Sequence, residues 1–439
     1  MNKAIYNWQL KGWPRISVDR TVLRAELKDF AKAFNALKRL VDAALDPALT
    51  AETLTDEAVT TSAIEGVRVD ESAVMSSICR ALGVATPPMH FTKDARATGV
   101  AEMMLSVRKD WQTPVSVQLI RHWHAVLMSG DADRVTVGAF RKEPVFVVRR
   151  RADGTQEIRF EAPPSARIPQ EIARLVREWK PHAATPERTA LWAALMHPQF
   201  ESIHPFQDGN GRVGRALVAK VLAEGFGVPL VLPVSTIIAR HRAAYYDELN
   251  EASRTLDWTN WCAFFIPVLT EMLTSFMSAA KFVSAKKAYL DRFERRFSPR
   301  AKKVILRMFE DGEKGALAGL SAAKWMRMTK VSKPTATRDL AELAAAGAIL
   351  PVGAGPAARY ALNGDFSHEP IESLNEPLNQ NILKLVKTHP GVKVPYLHSV
   401  VSASRATVKR MVKALMEEGR IEHRGSKKTG GYYLITGKT

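Results

Sequence analysis

Apolar residues recur every three or four positions through most of the first 290 residues. This spacing predicts helices of ordinary length separated by turns that contain Pro and Gly. The clearest amphipathic pattern is formed by Trp192, Leu195, Met196, Phe200 and Ile203. Pro205 is expected to end that helix just after His204. A second helical pattern runs from Arg212 to Glu224.

One segment of this helical region has a strand pattern instead. Residues 145–148 are β-branched and aromatic, residues 152–155 have turn composition, and residues 157–160 are again strand-like. The pattern predicts a short β-hairpin. Further along, a helical stretch from Glu271 to about Phe297 ends at Ser298-Pro299, which we interpret as a domain boundary.

The last third of the chain contains an internal repeat with an offset of 72 residues. The aligned pairs are Thr335 with Thr407, Arg338 with Arg410, Leu343 with Leu415, Gly347 with Gly419, Ile349 with Ile421, and Tyr360 with Tyr432. Each copy has the pattern of a helix, a turn, a second helix, a Gly stop and a hairpin, and the copies are joined by a polar linker over residues 363–379. Both copies resemble winged-helix domains, whose second helix usually enters the DNA major groove.

The basic residues are concentrated in this repeat. The 439 residues carry a net charge of +18, of which +12 lies in residues 291–439 and +9 in residues 381–439. Such an excess predicts binding to nucleic-acid phosphates through the second copy, although a solubilising or protein-binding face remains an alternative. The first copy is less suited to DNA, because its second helix carries Asp339 and Glu342 and its wing, residues 353–358, is almost uncharged.

Length and composition exclude several classes of protein. A chain of 439 residues predicts more than one domain. Two cysteines, Cys79 and Cys262, are too few for a disulfide framework, and we expect both to be buried thiols. No apolar run was expected to approach the roughly 18 residues of a membrane span, and the N-terminus is too polar for a signal peptide. We therefore expect a cytoplasmic protein without a membrane segment.

The string His204-Pro-Phe-Gln-Asp-Gly-Asn-Gly-Arg-Val-Gly-Arg215 has the composition of a phosphate site. Its glycine-containing turn opens onto a helix N-terminus, where backbone N–H groups and the helix dipole favour an anion. Arg212 and Arg215 lie on one face of the first turn, where cations are unfavourable without an anionic partner. Asp208 suits Mg²⁺, and His204 is placed to accept a proton from an attacking hydroxyl.

The string matches the signature HPFx(D/E)GNGRxxR of the Fic family at every defined position, and the resemblance covers about residues 1–290. It implies a Fic helical core with a small β-hairpin flap. Together with the two winged-helix-like α+β modules indicated by the repeat, the expected fold class is mainly α. We predict an N-terminal helical region at 1–110, a catalytic core at 111–297, and modules at 298–365 and 380–439.

The resemblance also implies roles for individual residues. His204 would be the general base, and Asp208 would hold the Mg²⁺ that accompanies ATP. The residues expected to bind the phosphates are Gly209, Asn210, Gly211, Arg212, Gly214 and Arg215. The residues expected beside the rest of the nucleotide are Val147, Val148, Arg149 and Arg150 of the flap and the adenine-flanking pair Tyr245 and Tyr246. A family Asn is replaced by Ser253, with Asn250 nearby.

A second short motif lies upstream. Residues 61–66, Thr-Ser-Ala-Ile-Glu-Gly, match the Fic inhibitory pattern (S/T)xxxE(G/N). Glu65 is expected at a helix C-terminus, where a carboxylate opposes the helix dipole unless a cation meets it. By the resemblance that cation is Arg215. While Glu65 holds Arg215, ATP would bind in a pose unsuited to attack, so the enzyme should be autoinhibited.

The resulting expectation is transfer of AMP from ATP to a Ser, Thr or Tyr hydroxyl of an unknown target protein and of the enzyme itself. Removal of AMP with the help of Glu65 is a second hypothesis, and a few Fic relatives transfer phosphocholine or phosphate instead. The alternative class is a DNA-binding transcriptional regulator that uses the Fic core as a nucleotide sensor. The intact His204 favours the enzyme, because a sensor needs no base. A homodimer is also left open.

The basic tail gives a direct test. We expect residues 381–439 to shift duplex DNA in a gel at low salt, with affinity falling steeply as salt rises, because phosphate contacts release counterions. Absence of a shift at low salt would assign the tail to protein partners.

Overall fold

The chain divides into two compact units, Met1–Phe366 and Ser367–Thr439. The computed structural model describes residues 5–85, 94–150, 155–179, 185–310, 315–316, 319–352, 359–364, 366, 382–383, 386, 394, 405–424 and 431–435. The four-part division made from the sequence stays a prediction.

The described residues are mainly helical, which confirms the fold class. The helices are α1 (Arg24–Lys38), α2 (Val41–Ala44), α3 (Pro47–Ile64), α4 (Glu71–Leu82), α5 (Ala95–Lys109), α6 (Val117–Leu127), α7 (Ile168–Glu178), α8 (Pro186–Ile203), α9 (Asn210–Phe226), α10 (Val234–Arg240), α11 (Arg242–Ala252), α12 (Thr259–Phe293), α13 (Pro299–Glu310), α14 (Ala322–Thr329), α15 (Lys333–Ala345) and α16 (Arg405–Glu417). Three antiparallel hairpins pair β1 (Phe146–Arg150) with β2 (Gln156–Glu161), β3 (Ile349–Val352) with β4 (Arg359–Leu362), and β5 (Ile421–Arg424) with β6 (Gly431–Leu434).

The core of the first unit is built around α8, which packs against α9, α1 and α12. The signature string forms the connection between α8 and α9, so packing of this antiparallel pair holds the string at both ends. Large side chains that are almost fully buried fill the space around it, among them Trp123, Phe200, Phe206 and Trp261. Burial of such aromatic groups contributes roughly 1.5–3 kcal/mol per side chain to the free energy of unfolding.

α3 carries most of the upstream motif, residues 61–66. The carboxylate of Asp46 caps its N-terminus by accepting the N–H groups of Ala48 and Leu49, and Pro47 occupies the first turn, where a missing N–H costs nothing. Glu65 follows the last helical residue, and Gly66 has a φ of 75°, the left-handed conformation that ends many helices. The helix therefore ends immediately before Glu65.

One helix is longer and more apolar than we expected from the sequence. Residues Thr259–Arg296 are long and apolar enough to cross a membrane by length and composition, with half of the apolar window buried. The expectation that no segment approaches this length was therefore wrong, because α12 begins 12 residues before the predicted Glu271. Within the first unit, α12 packs against α1, α8 and α10, as a core helix does.

α13, α14, α15 and the β3–β4 hairpin share one apolar core with the C-terminal end of α12, including Tyr289 and Phe293. Asp339, which we counted among the acidic residues that make the first copy less suited to DNA, is not exposed on α15. Its carboxylate is buried and accepts two hydrogen bonds of 2.7 Å from Arg300 and one of 3.3 Å from the indole of Trp325. The Arg300 guanidinium lowers the pKa of this carboxyl. The acidic charge is therefore neutralised inside the fold.

The 72-residue repeat is reproduced in the element boundaries. α15 and α16 begin at Lys333 and Arg405, and the strands of the two hairpins begin at equally offset positions. Gly347 and Gly419, the equivalent glycines, have φ angles of 72° and 66°. The second helix and the hairpin of each copy are thus confirmed, whereas only a few residues before Arg405 are described in the second copy. DNA binding and the winged-helix assignment remain predictions. Ser404, expected to cap the second helix of the second copy, and Lys427 and Lys428, expected on its wing, lie outside the described residues.

Candidate active site

A cavity of about 860 Å³ in the first unit gathers most of the predicted site. Its lining includes, from the predicted residues, Glu65, Val147, Val148, His204, Asp208, Gly209, Asn210, Gly211, Tyr245 and Tyr246. Arg212, Gly214 and Arg215 do not line it. Arg149 and Arg150 belong to β1, but their side chains lie outside the described residues.

His204 lies where α8 ends, in a backbone conformation that is rare for a residue with a side chain. Its φ is 48°, and Pro205 follows, which disfavours the helical conformation at the preceding residue. Arg141 stabilises this turn: its Nε donates to the His204 carbonyl at 2.7 Å, and its backbone N–H donates to the Pro205 carbonyl at 3.0 Å. Arg141 also donates to the carbonyls of Glu143 and Pro163 on either side of the hairpin. This buried arginine therefore ties the β1–β2 hairpin to the backbone of His204.

The imidazole of His204 is neutral at neutral pH. Burial, and secondarily the charge of Arg141, lower the pKa of His204 to about 4. Its Nδ1 lies 3.3 Å from the carbonyl of Glu201. A proton on Nδ1 donated to that carbonyl leaves Nε2 with a free lone pair. The side chain can then accept a proton from a group bound in the cavity.

Hydrogen bonds of Asn210 fix the turn between α8 and α9, and two glycines allow its backbone conformation and its close contact with Glu65. Asn210 is buried, and its amide accepts from the N–H and donates to the carbonyl of Phe206, at 2.9 and 2.8 Å. Gly209 has a φ of 82°. A Cβ at Gly211 would lie 2.2 Å from Oε1 of Glu65, so only glycine fits there while Glu65 holds its position. The first N–H groups of α9 have no partner within the helix, which suits an anion.

Arg212 and Arg215 are buried rather than exposed to the cavity. Arg215 is 1% exposed, and it donates to Oε1 of Glu65, to Oγ1 of Thr61 and to the carbonyl of Thr61, each at 2.8 Å. Arg212 lies 3.4 Å from Oδ1 of Asp208. The structure thus joins Glu65 to Arg215, as the resemblance implied, and both partners of Arg215 lie at the C-terminal end of α3.

Asp208 is the carboxylate at the mouth of the turn. Its side chain is 49% exposed, and Oδ1 accepts the N–H of Gly209 at 2.5 Å. Among the described residues no group of three or more His, Cys, Asp or Glu side chains could hold a metal ion. A single carboxylate beside an anion site still fits Mg²⁺, which keeps several waters and takes its other ligands from phosphates.

The two tyrosines differ in environment. Tyr245 is buried, and its hydroxyl lies 2.6 Å from Nε2 of His197. Tyr246 is 40% exposed and donates its hydroxyl to the carbonyl of Ile64 at 3.1 Å. Tyr246 is therefore linked to the C-terminus of α3, whereas the ring of Tyr245 packs in the core beside His197.

Ser253, which stands in place of the family Asn, and the nearby Asn250 line the same cavity. Ser253 donates its hydroxyl to the carbonyl of Asn250 at 2.6 Å. The Oδ1 atom of Asn250 is buried and has no hydrogen-bond partner among the residues that the structure describes. An unpaired buried acceptor is costly, so this atom is suited to a donor from a bound ligand.

The hairpin forms one wall of the cavity and exposes apolar side chains. Val147 and Val148 are 41% and 45% exposed, and a β-bulge separates their pairing partners Phe160 and Ile158. A two-stranded sheet has unpaired strand edges, and an extended segment can bind to such an edge beside these apolar side chains. The predicted hairpin is confirmed.

His124 has a positioning role that the sequence did not indicate. Its Nδ1 accepts the N–H of Gly138 at 3.0 Å, so its Nε2 carries the proton and donates to the carbonyl of Asp208 at 3.1 Å. The ring stacks on Phe206 at 3.8 Å. Burial lowers the pKa of His124 to about 4, which keeps this neutral tautomer. On the sequence, His124 is one polar residue within an amphipathic helix, and no local signal separates it from its neighbours.

Comparison with known proteins agrees with this geometry. Residues 114–222 match the family model described as Fic/DOC family, and residues 6–84 match the one described as Domain of unknown function (DUF4172). A 140-residue stretch is 29% identical to a protein adenylyltransferase of Caenorhabditis elegans, over 32% of this chain and 24% of that protein. A Fido domain-containing protein of Dictyostelium discoideum is 36% identical over 105 residues, 23% of this chain and 64% of that protein. The chain therefore spans less than two thirds of these relatives.

Among solved structures, a Fic family protein from Desulfovibrio desulfuricans has a similar fold. The TM-score is 0.52 at 20% sequence identity, and the match covers 81% of this chain and 99% of that one. At this identity the likeness concerns the fold, which is that of a Fic helical core.

Burial of Glu201 gives a prediction about stability. Burial and then the charge of Glu65 raise the pKa of Glu201 to about 8. A raised pKa in the folded state stabilises the fold at low pH, and that contribution is lost as the pH rises from about 4.5 through about 8. Because Glu201→Gln cannot ionise, we expect its melting temperature to exceed that of the wild type by about 2 °C or more at pH 8.5, and by less at pH 5. Differential scanning fluorimetry across this range measures the difference, and a difference that does not change with pH would contradict the prediction.

Proposed function

We propose that this chain, whose residues 114–222 form a Fic/DOC family domain, is an autoinhibited protein adenylyltransferase that transfers AMP from ATP to a hydroxyl group of a target protein and of itself. The observation that carries the proposal is the shared cavity, which is lined by the neutral His204, by the glycine turn at the N-terminus of α9, and by Glu65.

The proposed reaction uses each of these parts once. The attacking hydroxyl gives its proton to Nε2 of His204 as its oxygen bonds to the α-phosphorus of ATP. The bond between the α-phosphorus and the bridging oxygen breaks, and pyrophosphate leaves with the electron pair. Backbone N–H groups of Asn210 and Gly211 would stabilise the negative charge that develops on the phosphate oxygens, whereas the N–H of Gly209 already donates to Asp208. Asp208 would hold Mg²⁺, which would neutralise charge on the leaving phosphates.

The cavity walls suit the remaining parts of the substrates. The exposed edge of the β1–β2 hairpin, with Val147 and Val148, would pair with an extended target segment and bring its hydroxyl toward His204. Tyr246 and the unpaired Oδ1 of Asn250 would contact the nucleoside. Arg212 and Arg215 would contact the distal phosphates after a rearrangement, because both are buried in the present conformation.

Autoinhibition is supported by the position of Glu65. Its carboxylate bonds Arg215 at 2.8 Å and crowds the first turn of α9 at Gly211. A distal phosphate that needed Arg215 would have to displace this carboxylate, and two like charges cannot share the site without repulsion. The Glu65 side chain is 28% exposed, so it can leave without the helix moving.

Removal of Glu65 tests this inhibition. We expect Glu65→Gly to raise self-labelling with ATP that carries a radioactive α-phosphate, by about tenfold or more. The reason is that Arg215 becomes available to the nucleotide, and loss of a competing ion pair of about 1.4 kcal/mol corresponds to a factor of ten. Equal labelling of Glu65→Gly and the wild type would exclude autoinhibition by Glu65.

The role of His204 is tested in the same background. We expect the double variant Glu65→Gly/His204→Ala to lose labelling but to retain ATP binding. His122→Ala is the matched control, because His122 is exposed on α6 and does not line the cavity. Labelling that survives loss of His204 would contradict its role as base, and ATP binding without any labelling in Glu65→Gly would favour the nucleotide-sensor alternative.

The pH dependence of the reaction follows from the pKa of His204. Because that pKa is lowered to about 4, the base is already deprotonated well below its ordinary value of about 6.5. We therefore expect kcat/KM of Glu65→Gly for ATP to show no His204-dependent fall between pH 8 and pH 5. An acidic limb with a midpoint near 6.5 that persists after correction for folded protein would show that the imidazole is not desolvated.

A further inference from the structure

The segment Tyr6–Trp8 is bonded to three walls of the cavity at once. The side chain of Asn7 is fully buried, and its Nδ2 donates to Oγ of Ser202 at 2.7 Å and to the carbonyl of Ala252 at 3.2 Å. Its backbone N–H donates to the carbonyl of Ser253 at 2.7 Å. Ser202 lies two residues before His204 on α8, and Ser253 follows α11 on the side predicted to hold the nucleoside.

The flanking residues reach the third wall, the β1–β2 hairpin. The indole N–H of Trp8 donates to the carbonyl of Glu161 at 2.8 Å, at the end of β2. The rings of Tyr6 and Phe160 pack edge to face with centroids 5.2 Å apart, and the guanidinium of Arg254 lies over the Tyr6 ring, 5.7 Å from its centroid. Phe160 lines the cavity, 6.3 Å from the ring of His204.

These hydrogen bonds are directional, so they fix the position of Asn7 relative to α8 and α11. Both polar atoms of the Asn7 side chain have partners, since Nδ2 donates twice and Oδ1 accepts the N–H of Trp8 at 2.7 Å. A fully satisfied buried network rigidifies its surroundings, because any shift leaves a polar atom unpaired. The hairpin has only two strands, and such a hairpin is marginally stable without further packing. Its position relative to His204 therefore depends on what holds its base.

We propose that Tyr6, Asn7 and Trp8 form a positioning clamp that holds the β1–β2 hairpin against α8 and sets its distance from His204. These are positioning residues, since none of them is placed to contact the reacting atoms. The clamp gives a function to the start of the region that matches the domain of unknown function. Its catalytic consequence rests on the proposed AMP transfer, but its structural consequence does not.

The same segment contains a matched control. The indole N–H of Trp13 lies 3.2 Å from both carboxylate oxygens of Glu171 on α7, away from the cavity lining. Trp8→Phe and Trp13→Phe therefore remove the same chemical group from two half-buried tryptophans near the N-terminus. In Trp8→Phe an aromatic ring remains for Arg167, which now lies 5.6 Å from the indole centroid. Only the first substitution removes a hydrogen bond to the hairpin.

Hydrogen exchange of the full chain tests the clamp without requiring activity. We expect Trp8→Phe, and more strongly Asn7→Ala, to speed exchange of the paired amides in β1 and β2 by about tenfold, as expected for loss of one buried hydrogen bond. Trp13→Phe should leave these amides unchanged. Unchanged hairpin exchange in Trp8→Phe would overturn the proposal, and so would equal acceleration in α5 and in the hairpin, which would indicate a general loosening.

The catalytic consequence is measured in the Glu65→Gly background with α-labelled ATP. We expect Trp8→Phe to lower the rate of self-labelling by about tenfold while KM for ATP stays within about twofold, because the hairpin would position the acceptor segment rather than the phosphates. An unchanged rate despite faster hairpin exchange would overturn the positioning role. If Glu65→Gly itself shows no labelling, the proposed function fails, and hydrogen exchange alone decides whether the clamp exists.

Discussion

The ion pair between Arg215 and Glu65 is the interaction on which the arrangement of the cavity depends. A guanidinium that is 1% exposed must be paired, because a buried charge without a partner costs about 3–5 kcal/mol. All three acceptors of Arg215 lie at the C-terminal end of α3, namely the hydroxyl and carbonyl of Thr61 and the carboxylate of Glu65, the residue that follows the helix. A phosphate that displaced Glu65 would leave the two Thr61 bonds in place. Release of the Glu65 carboxylate from Arg215 therefore needs only a movement of the side chain, and α3 can stay packed on α9.

Burial determines the protonation of the groups around this pair. His204 and Glu201 lie on the same segment of chain, and desolvation moves the two pKa values in opposite directions, to about 4 and about 8. Both side chains are consequently uncharged near pH 7. The Glu65–Arg215 pair beside them is neutral as a unit, and the nearest other charges are the buried Arg141 and the exposed carboxylate of Asp208. An anion that enters the cavity can reach Arg215 only by competing with Glu65.

Local sequence patterns predicted the parts of this protein whose determinants are close together in the chain. The glycine turn, the break after His204, the hairpin and the elements within each copy of the repeat all depend on neighbours within a few residues. Arg141, His124 and Asn7 were missed because their partners lie 63, 84 and 195 residues away. Asp339 was misjudged for the same reason, since Arg300 lies 39 residues earlier. A charge on a predicted helix face gives no information about a distant partner that buries it.

The N-terminal region combines two constraints on the same cavity. α3 delivers Glu65 to Arg215, while Tyr6–Trp8 hold the hairpin and the ends of α8 and α11. The two contacts act on different walls, so loss of one does not reproduce loss of the other. Removing Glu65 frees an arginine and leaves the hairpin held, whereas removing the whole region would free the arginine and also release the hairpin. Deletion of residues 6–84 therefore cannot mimic a point substitution at Glu65, and the region is better regarded as part of the active-site scaffold than as a separable inhibitor.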